Sequence, residues 1–273
     1  MDPDTKNTRF QGDIPGLYDR HLGPVIFEPY AEDMARRAGD LGPQAVLEIA
    51  CGTGIVTRRL RDTLPKSTRL VATDLNQAMI DCASTHLTGI TGIDWRQADA
   101  CALPFDAGAF DLMVCQFGYM FVPDKALAFR EARRVLTAKG TLLFNVWAHT
   151  AANPYWRKAI GTIEGFFDRD PPSFYQVPYG FDDEALIREL LSGAGFGRVA
   201  MDRVTLAAES GSARSFATGI VKGNPGSLAI AERGLDIDKV VDAVTATLVE
   251  EGGDRPFRST MQALVVSATI GPT

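Results

Sequence analysis

The run Val46-Leu47-Glu48-Ile49-Ala50-Cys51-Gly52-Thr53-Gly54, followed by Ile55-Val56-Thr57-Arg58-Arg59-Leu60, limits the fold more than any other stretch of the chain. Apolar residues at 45–47 and 49–50 suit a parallel strand covered on both faces. Gly52 and Gly54 remove Cβ atoms where the backbone must turn sharply and something must come close. From Ile55, apolar positions 55, 56 and 60 with basic residues between them predict a helix with one solvated face. Strand, glycine turn and helix in that order put backbone N–H groups and the positive end of a helix at the carboxyl edge of a sheet. Such an edge is a cofactor site.

The dinucleotide fingerprint asks for a third glycine three residues after the second, and that position is Thr57. An acid, Glu48, stands inside the strand instead. Glu48-x-x-Cys51-Gly52-x-Gly54 resembles motif I of the class I S-adenosylmethionine (SAM) dependent methyltransferases. Further motifs in the right order extend the resemblance over 45–148. It implies an α/β fold: a doubly wound, Rossmann-like seven-stranded sheet with strand 7 antiparallel. It also implies helical lid insertions after strand 5 and between strands 6 and 7. SAM is the implied cofactor, S-adenosylhomocysteine (SAH) the product, and Glu48, Ala50, Cys51, Gly52 and Gly54 the first residues toward it.

Composition narrows the class. The 273 residues allow one large α/β domain with insertions, and 45% hydrophobic with 23% charged residues is ordinary for a globular protein. A net charge of −6 argues against a nucleic-acid partner. The basic clusters Arg36-Arg37 and Arg58-Arg59-x-Arg61 read as solvated helix faces. Cys51, Cys82, Cys101 and Cys115 form no CxxC pair and have no histidine cluster beside them, so no metal is expected. A reducing, cytoplasmic setting fits these thiols. The N-terminus is polar without an apolar signal core, and no apolar run reaches the ~18 residues of a membrane span.

In chain order, residues 1–13 read as frayed, and Pro24 and Pro29 divide 14–41 into two short helices, the second over about 29–38. This N-terminal segment, 1–41, is the expected cover of a single domain spanning 1–273. Tyr18-Asp19-Arg20-His21-Leu22 resembles the family's tyrosine-bearing entry segment, which implies Tyr18 near the methionine end of SAM. Packing of the helix is the other reading of Tyr18. Leu70–Asp74 is a strand ending on an acid, 20 residues after Gly54. A carboxylate there can accept from both ribose hydroxyls, for NAD and SAM alike. Asp74 could instead cap the next helix, but Asn76 can do so equally. In the family, Leu75 and Met79 would flank the adenine.

Ile93–Gln97 is a short third strand. After it, Ala98-Asp99-Ala100 matches the segment in which Asp99 would accept from the adenine amino group and the Ala100 N–H would donate to the ring. An Asx turn is the alternative for Asp99. Phe110–Gln116 is strand 4, and Gln116-Phe117-Gly118-x-Met120-Phe121-x-Pro123-Asp124 resembles small-molecule and quinone-type methyltransferases. That places Gln116 and Phe117 over the methyl donor. A helix over Asp124–Leu136 follows, then Lys139-Gly140 opens strand 5. The proline- and aromatic-rich stretch 149–180 reads as a lid forming the acceptor pocket, and 210–255 as a second, mainly helical one. Between them lie a helix from Asp182 through Leu191 and strand 6. Phe257–Ala268 is strand 7.

The implied reaction moves a methyl group from a sulfonium to an O, N or C nucleophile of a small, partly apolar acceptor. Aligning donor and acceptor and excluding water can supply much of the catalysis. His149 and His21 are candidate bases, each with a bland surface or packing reading beside it, and no catalytic residue is assigned. Two other classes stay open at this point: a SAM- or SAH-binding protein without turnover, and a Rossmann NAD oxidoreductase. Thr57 and the ordered downstream motifs weigh against the latter. Oligomeric state is not readable from the sequence.

Overall fold

The structure is a computed structural model that describes residues 14–270. The frayed segment expected at 1–13 lies outside the described residues. In chain order come α1 (Ile14–His21), a π-helical turn (Gly23–Phe27), α2 (Glu28–Leu41), β1 (Ala45–Glu48) and α3 (Ile55–Thr63). Then follow β2 (Arg69–Asp74), α4 (Gln77–His86), β3 (Ile93–Gln97), β4 (Phe110–Gln116), α5 (Lys125–Val135) and β5 (Leu136–Trp147). The remainder is α6 (Pro154–Glu164), α7 (Glu184–Gly193), β6 (Arg198–Ser210), α8 (Ala213–Lys222), α9 (Gly226–Glu232), α10 (Ile237–Gly252) and β7 (Phe257–Thr269).

The sheet order is β3-β2-β1-β4-β5-β7-β6. β1 pairs in parallel with β2 and with β4, β2 with β3, and β4 with β5, whereas β7 runs antiparallel to β5. The chain winds outward from β1 to β3 and returns to β4 on the other side of β1. The switch point therefore lies at the carboxyl ends of β1 and β4, where an open α/β sheet takes its ligand.

By compactness the chain forms two units. One comprises Tyr30–Trp147, Phe181–Val204 and the strand end from Ala263. It holds β1 to β5, the first half of β6 and the second half of β7. Its core joins Ala31, Met34, Ala35 and Ala38 of α2 to Val56 and Leu60 of α3 and to Val46, Leu70, Leu112, Val114, Leu143 and Val265 of the strands. Those α2 positions recur at helical spacing, so one stripe of the helix covers the sheet. Cys51, Ala72 and Ile80 form a second cluster with Ile93 and Trp95.

The other unit comprises 14–29, Ala148–Gly180 and Thr205–Gln262. Tyr155, Trp156, Tyr175, Phe216 and Phe257 are buried in it. Trp156 donates its indole N–H to Tyr175 O at 3.2 Å, and Asn153 Oδ1 accepts from Gln262 N at 2.9 Å. The aromatic stretch after β5 and the helical stretch after β6 thus share one core of their own, together with α1.

Three local expectations change. The helix expected over about 29–38 runs Glu28–Leu41, because Pro29 falls in its first turn, where a missing N–H costs nothing. The helix stripe 30–41 belongs to the sheet unit, whereas 14–29 do not. β5 begins at Leu136 rather than at Lys139-Gly140. Its pairing with β4 jumps from Phe110↔Leu136 to Leu112↔Thr141, so the residues between Leu136 and Thr141 are absorbed as an irregularity of the strand.

Arg61 is not on a solvated face. It is 8% exposed and donates to the carbonyls of Thr68 and Leu64, each at 3.0 Å, of Gly92 at 3.4 Å, and of Pro65. Three other arginines of these clusters pair with acids: Arg36 and Arg37 with Asp33, Arg37 also with Asp202, and Arg59 with Glu32.

Candidate functional site

The loop after β1 is fixed to both neighbouring strands. Ile49 N donates to Val114 O at 3.0 Å and Cys51 N to Thr73 O at 2.9 Å. Ala50 takes φ +52°, Gly52 φ +55° and Gly54 φ +86°. For alanine that conformation costs about 1–2 kcal/mol, which the surrounding bonds must hold in place. The two glycines do different things. A Cβ on Gly54 would stand 3.1 Å from both Ala83 and Leu87, so this glycine lets the turn seat on α4. A Cβ on Gly52 would meet nothing within 4 Å, so its side is open to a ligand.

Asp74 ends β2 against that turn. Its Oδ2 accepts from Gly52 N at 2.9 Å and its Oδ1 from Asn76 N at 2.8 Å. Asn76 caps α4, its Oδ1 accepting from Ala78 N at 3.0 Å, so Asp74 is not needed as the cap. Burial raises the Asp74 carboxyl, and the N–H groups of Asn76, Gly52 and Leu75 pull it back toward the charged form. These three N–H groups leave about one of the four lone-pair sites of the carboxylate for a donor from outside.

Leu75 beside it is 54% exposed, an apolar side chain held in the open. Met79 is buried at 4%. Gln97 Nε2 donates to Leu75 O at 2.9 Å and Ala98 N to Asp74 O at 3.0 Å, which ties the end of β3 to the same place. Asp99 is exposed, and its Oδ1 accepts from Cys101 N at 2.8 Å. The Asx turn is therefore formed, with acceptor capacity to spare, and Ala100 lies inside it half-buried.

Glu48 lies under the turn, 2% exposed. Burial pushes its carboxyl up to about 8, the Thr57 hydroxyl works against this, and the charge of Asp74 adds to it. Oε2 has no hydrogen-bond partner. The Cys51 thiol is pushed well above its ordinary value by burial and by the charges of Glu48 and Asp74, and burial pushes Cys115 up to about 12. Both are inert packing thiols.

The ends of β4 and β5 carry an aromatic group. Phe117 and Trp147 stack face to face, with centroids 3.9 Å apart and planes at 9°. Tyr30 meets both edge-on, at 5.3 and 5.6 Å, and its hydroxyl donates to Val204 O at 2.9 Å. Phe117 has φ +51°, a second non-glycine residue in the left-handed region. Its N–H donates to both Asn145 O, at 3.1 Å, and Asn145 Oδ1, at 3.0 Å. Gln116 pairs in register with Asn145.

Gly118 joins this end to the turn after β1. A Cβ there would lie 2.6 Å from Ala50 Cβ and 2.7 Å from Cys115 Sγ. Gly118, as part of a motif, and Asn145, Trp147 and Gln97, as strand residues, carry no role of their own in the sequence. The signal for Gly118 is its place directly after Gln116-Phe117. Asn145 stands out as the one polar residue in Leu142–Trp147.

Tyr18 stands in the other unit, with its ring stacked on Phe27 at 4.7 Å and 22°. His149 is exposed and caps the turn after β5, its Nδ1 accepting from Ala151 N at 3.2 Å. His21 Nδ1 lies 2.9 Å from Ser215 Oγ, and burial, with Arg20, lowers its pKa. Among the described residues no group of three or more His, Cys, Asp or Glu could hold a metal ion. Among them also, no helix is long and apolar enough to cross a membrane.

The residues present fit a nucleoside cofactor with an apolar-flanked base. Gly52 leaves room, the Asp74 carboxylate ends a strand beside it, and Leu75 offers an open apolar surface. Comparison with known proteins agrees. Residues 47–144 match the family described as "Methyltransferase domain". The chain is similar to the demethylmenaquinone methyltransferase of Lactococcus lactis, 26% identical over 67% of this chain and 79% of the relative. It is also similar to a ubiquinone/menaquinone biosynthesis C-methyltransferase of Saccharophagus degradans, 28% identical over 59% and 70%. Among solved structures, phosphoethanolamine N-methyltransferase 2 of Haemonchus contortus in complex with SAM shares the fold, with TM-score 0.62 and 15% identity over all of this chain and 60% of that one.

Proposed function

Because this chain is a class I SAM-dependent methyltransferase, we propose that its acceptor is a small, partly apolar molecule with an aromatic or quinol-like ring. The observation that supports this most is the Phe117–Trp147 stack, with Tyr30 on its edge, at the carboxyl ends of the central strands. Flat rings recognise flat rings through offset and edge contacts. The names of the two relatives, a demethylmenaquinone methyltransferase and a ubiquinone/menaquinone biosynthesis C-methyltransferase, point the same way.

Bound SAM supplies an activated methyl group on a sulfonium. In this reading Asp74 holds the ribose hydroxyls, Leu75 and Met79 flank the adenine, and Asp99 with the Ala100 N–H meets its edge. Glu48, Ala50, Cys51, Gly52 and Gly54 shape the turn along the cofactor tail, and Gln116 and Phe117 face the methyl group. No side chain is assigned as base, since His149 spends Nδ1 on a cap and His21 is engaged with Ser215. An acidic hydroxyl or an electron-rich ring carbon delivers its own nucleophile and suits such a site. The four free thiols fit a cytoplasmic setting.

The test is calorimetric titration of the purified chain with SAH, with NADH as control, followed by turnover with methyl-labelled SAM. Label entering 1,4-dihydroxynaphthalene but not phosphoethanolamine is expected. Label entering only the hydrophilic amine would overturn the acceptor class, and binding of NADH alone would overturn the cofactor.

A further inference from the structure

Two departures from ordinary structure meet at one bond in the sheet unit. Phe117 is held in the left-handed region, and Asn145, 0% exposed on β5, keeps it there by taking its N–H on both the carbonyl and the side-chain oxygen. The other half of that amide is stranded: Asn145 Nδ2 is buried with no hydrogen-bond partner. Turning the amide over cannot cure this, because Nδ2 would then face the Phe117 N–H, donor against donor. A valine would fill this strand position without an orphan polar group. The fold therefore bears a cost in β5 and a strain in Phe117 together. What the pair secures is the placement of the Phe117 ring flat on Trp147.

We propose that Asn145 is a positioning residue. It acts through the Phe117 main chain to set the buried Phe117–Trp147 stack at the carboxyl ends of β4 and β5, and thereby the fit of the cofactor beside it. The inference rests on the reading of Phe117 as a cofactor-facing residue.

Asn145→Val and Asn145→Asp test it. Each chain is labelled with 5-fluorotryptophan, and the Trp147 resonance is assigned among the three tryptophans by Trp147→Phe. Asn145→Val removes the side-chain acceptor and the orphan donor at once. It is expected to raise the melting temperature, displace the Trp147 resonance and weaken SAH binding about tenfold. Asn145→Asp keeps an acceptor for the Phe117 N–H and is expected to retain the wild-type resonance and most of the affinity. In a Phe117→Gly background, where the ring is gone and glycine takes the left-handed conformation unaided, adding Asn145→Val should change SAH affinity less than twofold.

A lower melting temperature with resonance and SAH affinity unchanged would make Asn145 a structural residue and overturn the proposal. So would a tenfold loss repeated in the Phe117→Gly background. Failure of the wild-type chain to bind SAH would instead count against the cofactor assignment, which the Trp147 resonance does not depend on.

Discussion

At the end of β2, Asp74 takes the N–H groups of Gly52 and Asn76, and Asn76 in turn caps α4. At the end of β5, Asn145 satisfies Phe117 twice over and leaves its own donor buried and unmatched. The first place closes its polar groups on one another and presents an open glycine and an exposed leucine. The second sets rings on rings at a local cost. In the proposed reading, this difference separates an edge that takes the polar nucleoside from one that shapes the acceptor space. The two are joined where Gly118 lets the Ala50 turn touch the end of β4.

The sharpest way to break this contrast is Asp74→Ala. It removes a carboxylate that orders the turn and, in the proposed reading, binds the ribose. Losing charge-assisted bonds of about 1.5–3 kcal/mol each should weaken SAH binding by roughly a hundredfold or more. Calorimetry with circular dichroism as a folding control measures it. Unchanged affinity would move the ribose elsewhere.

Glu48→Gln comes next and concerns stability. The folded carboxyl titrates at about 8, above its ordinary 4.5. The unfolded chain therefore loses that proton first as pH rises. The contribution of Glu48 is full below about 4.5 and drains away until pH passes 8. By linkage the deficit at pH 7 is about 3 kcal/mol. Urea unfolding of the wild type should fall across this window, while Glu48→Gln should be flatter and more stable at pH 8. Parallel pH profiles for both chains would refute the protonated Glu48.

Gly118→Ala presses a methyl group against Ala50 and Cys115, and overpacking of this sort costs about 1–3 kcal/mol. Its melting temperature should drop, with SAH affinity falling as the turn moves. A chain as stable as wild type would show that the two edges are not in contact through this glycine. The smallest effect is expected of Ala50→Gly. Relief of about 1–2 kcal/mol of backbone strain is set against roughly 0.5–1 kcal/mol of glycine flexibility. Unfolding stability should rise by no more than about 1.5 kcal/mol.

These two edges also differ in how far they could be read from the residues alone. The β1 turn, the acid ending β2 and the Asp99 turn follow local rules of strand, glycine and cap, so their place in the fold was legible. Asn145 was not. Its role depends on a partner 28 residues earlier, Phe117, and on a left-handed backbone that no propensity assigns to phenylalanine. β5 was misread at its start for the same reason. Pairing with β4 carried Leu136–Gly140 into the strand although the local signal was a turn. Arg61 was misread because charge density near a helix face says nothing about which loop carbonyls gather around it.

That arginine has a consequence of its own. Its guanidinium draws in backbone oxygens from the end of α3, from the approach to β2 and from the approach to β3. Proteins often assign such a gathering of carbonyls to a captured calcium ion. Here the cation is tethered to the helix, so the knot needs nothing from solution and survives a chelator. It would yield to a lysine, whose point charge cannot fan out over four separated oxygens.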